Sequence, residues 1–479
     1  MSAPAALSHN PFRVIVDDLR AELATRGGLP PGETSFSLSR TRQMARDPLP
    51  VLLSCYERFG PVFTVRILHS PQVFLLGPEA NRHVLLSNAR NFLWRDGGFG
   101  ELEPLLGDGL LTIDGAYHHR ARRILLPAFH HEQVAAATGT MIEEAGAALD
   151  EWKVGETLDV YAWARGLAMR IAMRALLGLD PDRGTGEMAA REFERALSYY
   201  GTDYTLRVLR GPGSPWRRMH NARKVLDDIV YREIERRRGA EGSGGEDSLG
   251  MLMAAATGED GERLSDREVR DQVVTLLFAG HDTSTSTISF LLYELARHPH
   301  ELQVLYDEQD RVLGGRAPTP EDLVKSLPRL DMALDETLRL YPPAWVGPRR
   351  AVDAFEVAGT RVPAGAFVNY CSWASHRLPD VFEDPETFRP ERFSPERKAA
   401  LPKGAYVPFG GGSRTCIGMR FGQMEVKAVA TLLLQRFRCE LLPGRTMTVR
   451  QMPTLSPRGG LEMTVRERAV SATAGVAQP

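Results

Sequence analysis

Cys416 sits in the stretch Phe409 to Gly418, FGGGSRTCIG, and an apolar helical run, MRFGQMEVKAVATLLLQ, follows at once. One thiol in a glycine-rich turn that feeds a helix suits an anionic ligand. A helix start offers backbone N–H donors and positive potential, so the thiol pKa is expected well below its free value. Gly410, Gly411, Gly412 and Gly418 let backbone pass close to a large flat group. Zinc would need further ligands at short spacing and a disulfide would need a partner; Cys371 and Cys439 are isolated. A thiolate-ligated haem fits these residues best.

FGGGSRTCIG resembles the haem-binding loop of the cytochrome P-450 superfamily, and the other marks of that family occur in order. Glu336-Thr337-Leu338-Arg339 resembles its E-x-x-R pair. Residues three apart share a helix face, although the bland reading of such a pair is a solvated salt bridge. Phe388 to Phe393, FRPERF, resembles the segment whose arginine, here Arg392, completes a buried three-member network. The resemblance assigns Glu336, Arg339 and Arg392 to scaffolding that holds the Cys416 loop. Breaking buried charges of this kind is costly.

Ala279-Gly280-His281-Asp282-Thr283-Ser284 lies midway along a helical run expected over about residues 265–297 and resembles the family's oxygen-activation motif. A helical threonine can donate its hydroxyl to the carbonyl four residues back, here Ala279, and Gly280 removes bulk beside it. The resemblance implies a groove over the iron where dioxygen and a water fit, with Asp282 and Thr283 as the catalytic pair that manages protons. The alternative is a buried helix whose hydroxyls merely satisfy backbone groups. His281 reads as a core or surface residue and not as a second ligand. Two haem propionates require cations. Asp114 to Arg123, DGAYHHRARR, resembles the family's segment in which an aromatic or His and an Arg four residues later face them, which maps onto His118 and Arg122. Arg349 and Arg414 resemble the remaining donors, whereas Arg120, Arg123 and Arg350 read as a solvated face. The implied cofactor is haem b, iron protoporphyrin IX, with Cys416 as the metal ligand and Phe409, Gly410, Gly418 and Ala279 against the ring.

The elements that must position these groups are mostly helical. Helices are expected at about residues 13–24 and 50–59, and strands at 62–67 and 72–76 around a turn at His69-Ser70-Pro71. Further strands are expected between Phe355 and Tyr370. The expected fold is mainly α with small β-sheets (α+β), the cytochrome P-450 fold with its long central helix. Length alone would suggest about three domains. The motif order implies instead one haem domain over 1–479, with a core at about 17–458 and a flexible tail at about 469–479. Gly239 to Gly250, GAEGSGGEDSLG, reads as an exposed linker.

A formal net charge of −2 implies no nucleic-acid partner. Four scattered cysteines fit a reducing compartment, and no apolar run approaches the roughly eighteen residues of a membrane span, so a soluble, cytoplasmic protein is expected. The absence of any flavin, nucleotide or iron–sulfur motif implies that electrons arrive from a separate ferredoxin or flavodoxin with its reductase. Arg122, Arg123, Arg420, Lys427 and Lys403 are candidates to line its dock. Phe99, Leu102, Phe278, Ala279, Val346 and Leu455 are the expected wall of an apolar substrate pocket. The resemblance thus implies a haem-thiolate monooxygenase using O2 to hydroxylate or epoxidise an apolar small molecule such as a fatty acid, terpenoid, steroid or polyketide. A peroxygenase, a haem-thiolate isomerase and a non-catalytic haem sensor or carrier are the alternatives.

Overall fold

The computed structural model describes residues 9–25, 28–182, 184–202, 204–239, 248–254 and 264–468. Helices dominate, and they pack around Asp266–Arg297, a helix of 32 residues. Its start is set by a capping box: the Ser265 hydroxyl accepts from the Glu268 N–H, and the Glu268 carboxylate accepts from the Ser265 N–H. The expected span, including its N-terminal boundary, is met. The helix carries an unusual run of hydroxyls through the core. Thr283, Thr285, Thr287 and Ser289 each donate to the carbonyl four residues back, which satisfies the hydroxyls within the helix itself.

Two helices flank this axis, Val160–Leu177 on one side and Met419–Arg436 on another, and both contribute to the largest apolar core. A six-stranded sheet lies beside them. Its strands are β1 Gly32–Glu33, β2 Val62–Ile67, β3 Ser70–Leu75, β4 Phe92–Leu93, β5 Val346–Ala351 and β6 Phe367–Cys371, in the order β1-β2-β3-β6-β5-β4. The hairpin between β2 and β3 turns at Leu68-His69, one step earlier than expected. Ser70 and Pro71 already pair with Ile67 and Arg66, and Leu68 takes the positive φ of 53° that so short a turn demands. Residues 355–357 and 360–362 form a ribbon of their own, while β6 joins the main sheet between β3 and β5.

The early helices cover Pro11–Thr25 and Leu49–Phe59, as expected. Of the expected linker, residues 240–247 lie outside the described residues, and Ser248–Ala254 is helical. The expected tail lies outside them as well. No helix among the described residues is long and apolar enough to cross a membrane.

Candidate active site

Cys416 is held by its own loop. Its backbone N–H donates to the Phe409 carbonyl at 2.9 Å, and Gly410 and Gly412 adopt positive φ of 69° and 61°. Gly412 is also sterically required, since a Cβ there would sit 2.3 Å from the Leu85 carbonyl oxygen. Among the four cysteines, Cys416 alone is exposed, whereas Cys55, Cys371 and Cys439 are buried. Burial pushes the Cys371 and Cys439 thiols up to about 12. The Cys416 side chain keeps exposed surface, although much protein packs around it. Its pKa is therefore raised, not lowered, by burial, and the Gly418 N–H and nearby Arg122 offset only part of this. The expected depression of the thiol pKa is corrected accordingly: polarity at a helix start does not outweigh desolvation, and a bound metal cation is the remaining source of thiolate stabilisation.

The central helix is closed along its middle except at one place. From Val269 to Leu292 every residue is buried apart from Ala279, Gly280 and Thr283, which share a face and are half-buried. Thr283 Oγ1 donates to the Ala279 carbonyl at 2.7 Å. A Cβ at Gly280 would meet nothing nearer than Leu176 Cδ1 at 4.0 Å, so the space beside it is open. Asp282 points the other way. It is 1 % exposed, bound by Arg165 Nη1 at 2.5 Å and by the Thr454 hydroxyl at 2.8 Å. Arg165 is in turn gripped by Glu194 at 2.8–3.1 Å. Despite burial, which works against it, contact with His281 and Arg165 holds the Glu194 carboxyl at about 2. Asp282 thus has no direct path to solvent; its link outward runs through Arg165 and Glu194. His281 is core, shared between Glu194 and the Arg165 carbonyl. Next to Thr283, the Ser284 hydroxyl donates to Glu425, whose carboxyl burial raises to about 8.

The cation cluster assembles around Trp94. Asp114 begins the helix Gly115–Leu125, which buries His118 and exposes His119. Burial and the neighbouring Arg414, His119 and Arg122 push His118 down to about 3. Arg349 lies 3.8 Å over the Trp94 ring, with Arg414 at 4.7 Å and the Phe99 ring at 4.7 Å. Arg414 donates to Asp114 at 2.6 Å and to the Ile113 carbonyl at 2.9 Å. Burial lowers both Arg349 and Arg414 to about 10, against the opposing pull of Asp114. Arg122 and Arg349 both act on Arg414, whose partner is Asp114, so cationic groups outnumber this carboxylate in a poorly solvated place. The two propionates of a haem would cancel that excess, which is the physical fit between this cluster and the cofactor. Of the three arginines read as solvated, only Arg123 is exposed. Arg120 pairs with Glu268 at 2.7 Å, and Arg350 lies over Phe367 near Asp18, because both face packed elements and not open water.

The scaffold network has the expected members. Glu336 and Arg339 are fully buried and joined at 2.7 and 2.9 Å, and Arg392 Nε reaches Glu336 at 3.3 Å. Arg339 also donates to the His376 and Pro385 carbonyls, and His376 Nε2 accepts from the Val407 N–H at 2.9 Å, two residues before the cysteine loop begins. Two expectations are overturned. Lys427 is buried and bonded to Asp331 at 2.6 Å, so it cannot present charge to a partner, while Arg123, Arg420 and Lys403 are exposed. Leu455 has no exposed surface and packs in the core with Phe290 and Trp373 instead of lining a pocket. Phe278 is buried too, Phe99 belongs to the Trp94 cluster, and Leu102 and Val346 are half-buried. Arg165, Glu194, Thr454 and Glu425 carry no motif in the sequence; Asp114 had a local signal, its place at a helix start, and Trp94 read as pocket wall yet lies under Arg349 and Arg414.

Comparison with known proteins accords with this geometry. The family model described as Cytochrome P450 matches residues 30–464. Cyclooctat-9-en-7-ol 5-monooxygenase of Streptomyces melanosporofaciens is 36 % identical over 428 residues, covering 88 % of this chain and 91 % of the relative. Cyclooctatin synthase of the same organism is 34 % identical over 426 residues, covering 87 % and 90 %. Among solved structures, retinoic acid-bound cyanobacterial CYP120A1 superposes with a TM-score of 0.81 at 29 % identity, covering 92 % of this chain and 99 % of that one. The cytochrome P450DA haem domain superposes with a TM-score of 0.84 at 28 % identity, covering 92 % and 98 %.

Proposed function

The chain belongs to the cytochrome P450 family, a haem-thiolate monooxygenase by its relatives, and we propose that it inserts one oxygen atom into an apolar small molecule by hydroxylation or epoxidation. The haem, as haem b, would supply the redox chemistry that activates dioxygen. The chain's own residues hold and feed it. Cys416 would be the metal ligand, His118, Arg122, Arg349 and Arg414 would receive the propionates, and Phe409, Gly410, Gly418 and Ala279 would hold the ring. Thr283 offers a hydroxyl at the one opening of a sealed helix, and that opening is the observation that carries the reading.

Asp282 holds the proton supply, and because Arg165 and Thr454 occupy both its oxygens, a proton reaches it only when Arg165 moves aside. Half-buried Leu102 and Val346 leave apolar surface for the substrate. The molecule named for one relative, cyclooctat-9-en-7-ol, and the retinoic acid of one solved structure are both largely hydrocarbon, which supports an apolar substrate here. The two electrons come from a separate ferredoxin or flavodoxin, drawn to exposed Arg123, Arg420 and Lys403.

The test is turnover of the haem-loaded protein with a surrogate ferredoxin, its reductase and labelled dioxygen, on ligands first chosen by the Soret shift they cause. Product carrying one labelled oxygen atom is expected. Product with peroxide but none with the redox partner would replace monooxygenation by peroxygenation, and binding without any product would leave a carrier.

A further inference from the structure

An aspartate at the start of a helix ordinarily accepts from the second or third backbone N–H of that helix. Asp114 stands at such a start, before Gly115–Leu125, yet its side chain makes no capping bond. Its carboxylate turns to two other segments. The Trp94 N–H donates to it at 3.0 and 3.1 Å, the Arg95 N–H at 2.9 Å and Arg414 Nη2 at 2.6 Å. Capping therefore does not explain this residue.

The arrangement fixes a negative charge among cations. Two of the three donor groups belong to the backbone, so the carboxylate is tied to the chain at 94–95 and stays beside Arg414. Both partners are largely withdrawn from water, with side chains 17 % and 14 % exposed, so solvent screens the pair little. The influence of Asp114 reaches beyond that bond. Burial lowers Arg349, and Tyr370 and then Asp114 pull the other way. Burial lowers Arg414 as well; Asp114 opposes this, while Arg349 and Arg122 add to it. Asp114 thus draws on the same guanidiniums that would take the propionates.

We propose that Asp114 is a positioning residue that holds the reduction potential of the haem down, by keeping Arg414 committed to a fixed carboxylate. The inference rests on the haem reading given above. One electron added to the iron makes the haem more negative by one unit, which a nearby carboxylate opposes and a nearby guanidinium favours. A propionate sharing Arg414 with Asp114 receives less of that cation than one holding it alone, so the reduced form is less favoured than the arginines by themselves would make it. The competing role is a purely structural tie between residues 94–95 and the cysteine loop, and the two differ in whether charge or geometry matters.

The experiment is a dye-mediated reductive titration of the full-length, haem-loaded protein with imidazole saturating the iron, so that every variant is compared in one spin state. Asp114→Asn keeps an oxygen for the Trp94 and Arg95 N–H groups and loses the charge. It should shift the one-electron equilibrium about tenfold toward the reduced form, which is about 59 mV. Asp114→Glu retains the charge and should stay near the wild type. Arg414→Gln should shift the equilibrium in the opposite sense, and Asp114→Asn should do less in that background, as expected of a residue acting through Arg414. Asp108→Asn breaks the bond to Arg95 Nη1 at 3.0 Å and so loosens the same segment without touching Arg414; it should leave the potential in place. An unmoved potential in Asp114→Asn or in Arg414→Gln, or an equal rise in Asp108→Asn, overturns the proposal and leaves Asp114 a structural tie. A wild type without the thiolate carbon monoxide band would defeat the haem reading itself, whereas an unmoved potential with that band present defeats this inference alone.

Discussion

Replacing Glu336 with alanine removes the acceptor at the centre of the scaffold. Its carboxylate takes Arg339 Nε and Nη2 at 2.7 and 2.9 Å, the Arg389 N–H at 2.9 Å and Arg392 Nε at 3.3 Å. After the change, Arg339 keeps the carbonyls of His376, Pro385 and Thr387, and Arg392 keeps that of Asp384. Those carbonyls preserve hydrogen bonds but supply no charge, so two buried guanidiniums are left without a counter-ion. Breaking a buried pair in this manner costs about 3–5 kcal/mol. A domain's whole stability is about 5–15 kcal/mol, so Glu336→Ala should fold poorly and load little haem. Glu336→Gln preserves volume yet not charge, and should resemble alanine more than wild type. The assay is the yield of haem-loaded protein together with the denaturant midpoint of the Soret band, since a bound cofactor makes a two-state free energy ill-defined. A Glu336→Ala protein that loads fully, with an unchanged midpoint, would refute the reasoning and demote the network to an ordinary salt bridge.

Cys416→Ala should abolish the red-shifted carbon monoxide band of a thiolate-ligated haem while Cys439→Ala keeps it; the reverse pattern in absorption spectra would sink the ligand assignment. Thr283→Ala should retain haem and ligand binding but divert electrons to peroxide, and Asp282→Asn should slow turnover by about 10²–10⁴-fold; unchanged coupling of electron use to product would exclude the proton role. First-electron transfer from a ferredoxin should fall with salt and with Arg123→Glu or Arg420→Glu, whereas Lys427→Glu should destabilise the fold by burying a carboxylate beside Asp331; stopped-flow rates flat in salt would rule out electrostatic docking there. His376, buried and pushed down to about 3, stays neutral in the fold while the unfolded chain binds its proton below about 6.5. Its contribution is therefore intact above that pH and is lost as pH falls toward 3, at up to about 1.4 kcal/mol per pH unit. In His376→Gln, the pH dependence of the unfolding midpoint between 6.5 and 5 should flatten by up to one proton; an unchanged slope would place the acid sensitivity elsewhere.

Local spacing determined much of this protein, because the relevant physics acts over a few residues. The central helix was legible from its capping serine to Arg297, and the Thr283-to-Ala279 hydrogen bond follows from a four-residue step. The glycines around Cys416 were readable for the same reason: a positive φ and a close carbonyl are demands on one position. Glu336, Arg339 and Arg392 were found because their pairing is written into short motifs. Tertiary structure decided what depends on neighbours distant in the chain. Arg165, 117 residues before Asp282, and Thr454, 172 after it, close off the acid, and no local pattern announces either. Lys427 looked like a surface cation, yet Asp331, 96 residues away, lets it sit inside. The Cys416 thiol shows the division most plainly. The helix start argues for a lowered pKa, but desolvation is summed over every atom packed around it, and that sum exists only once the chain has folded.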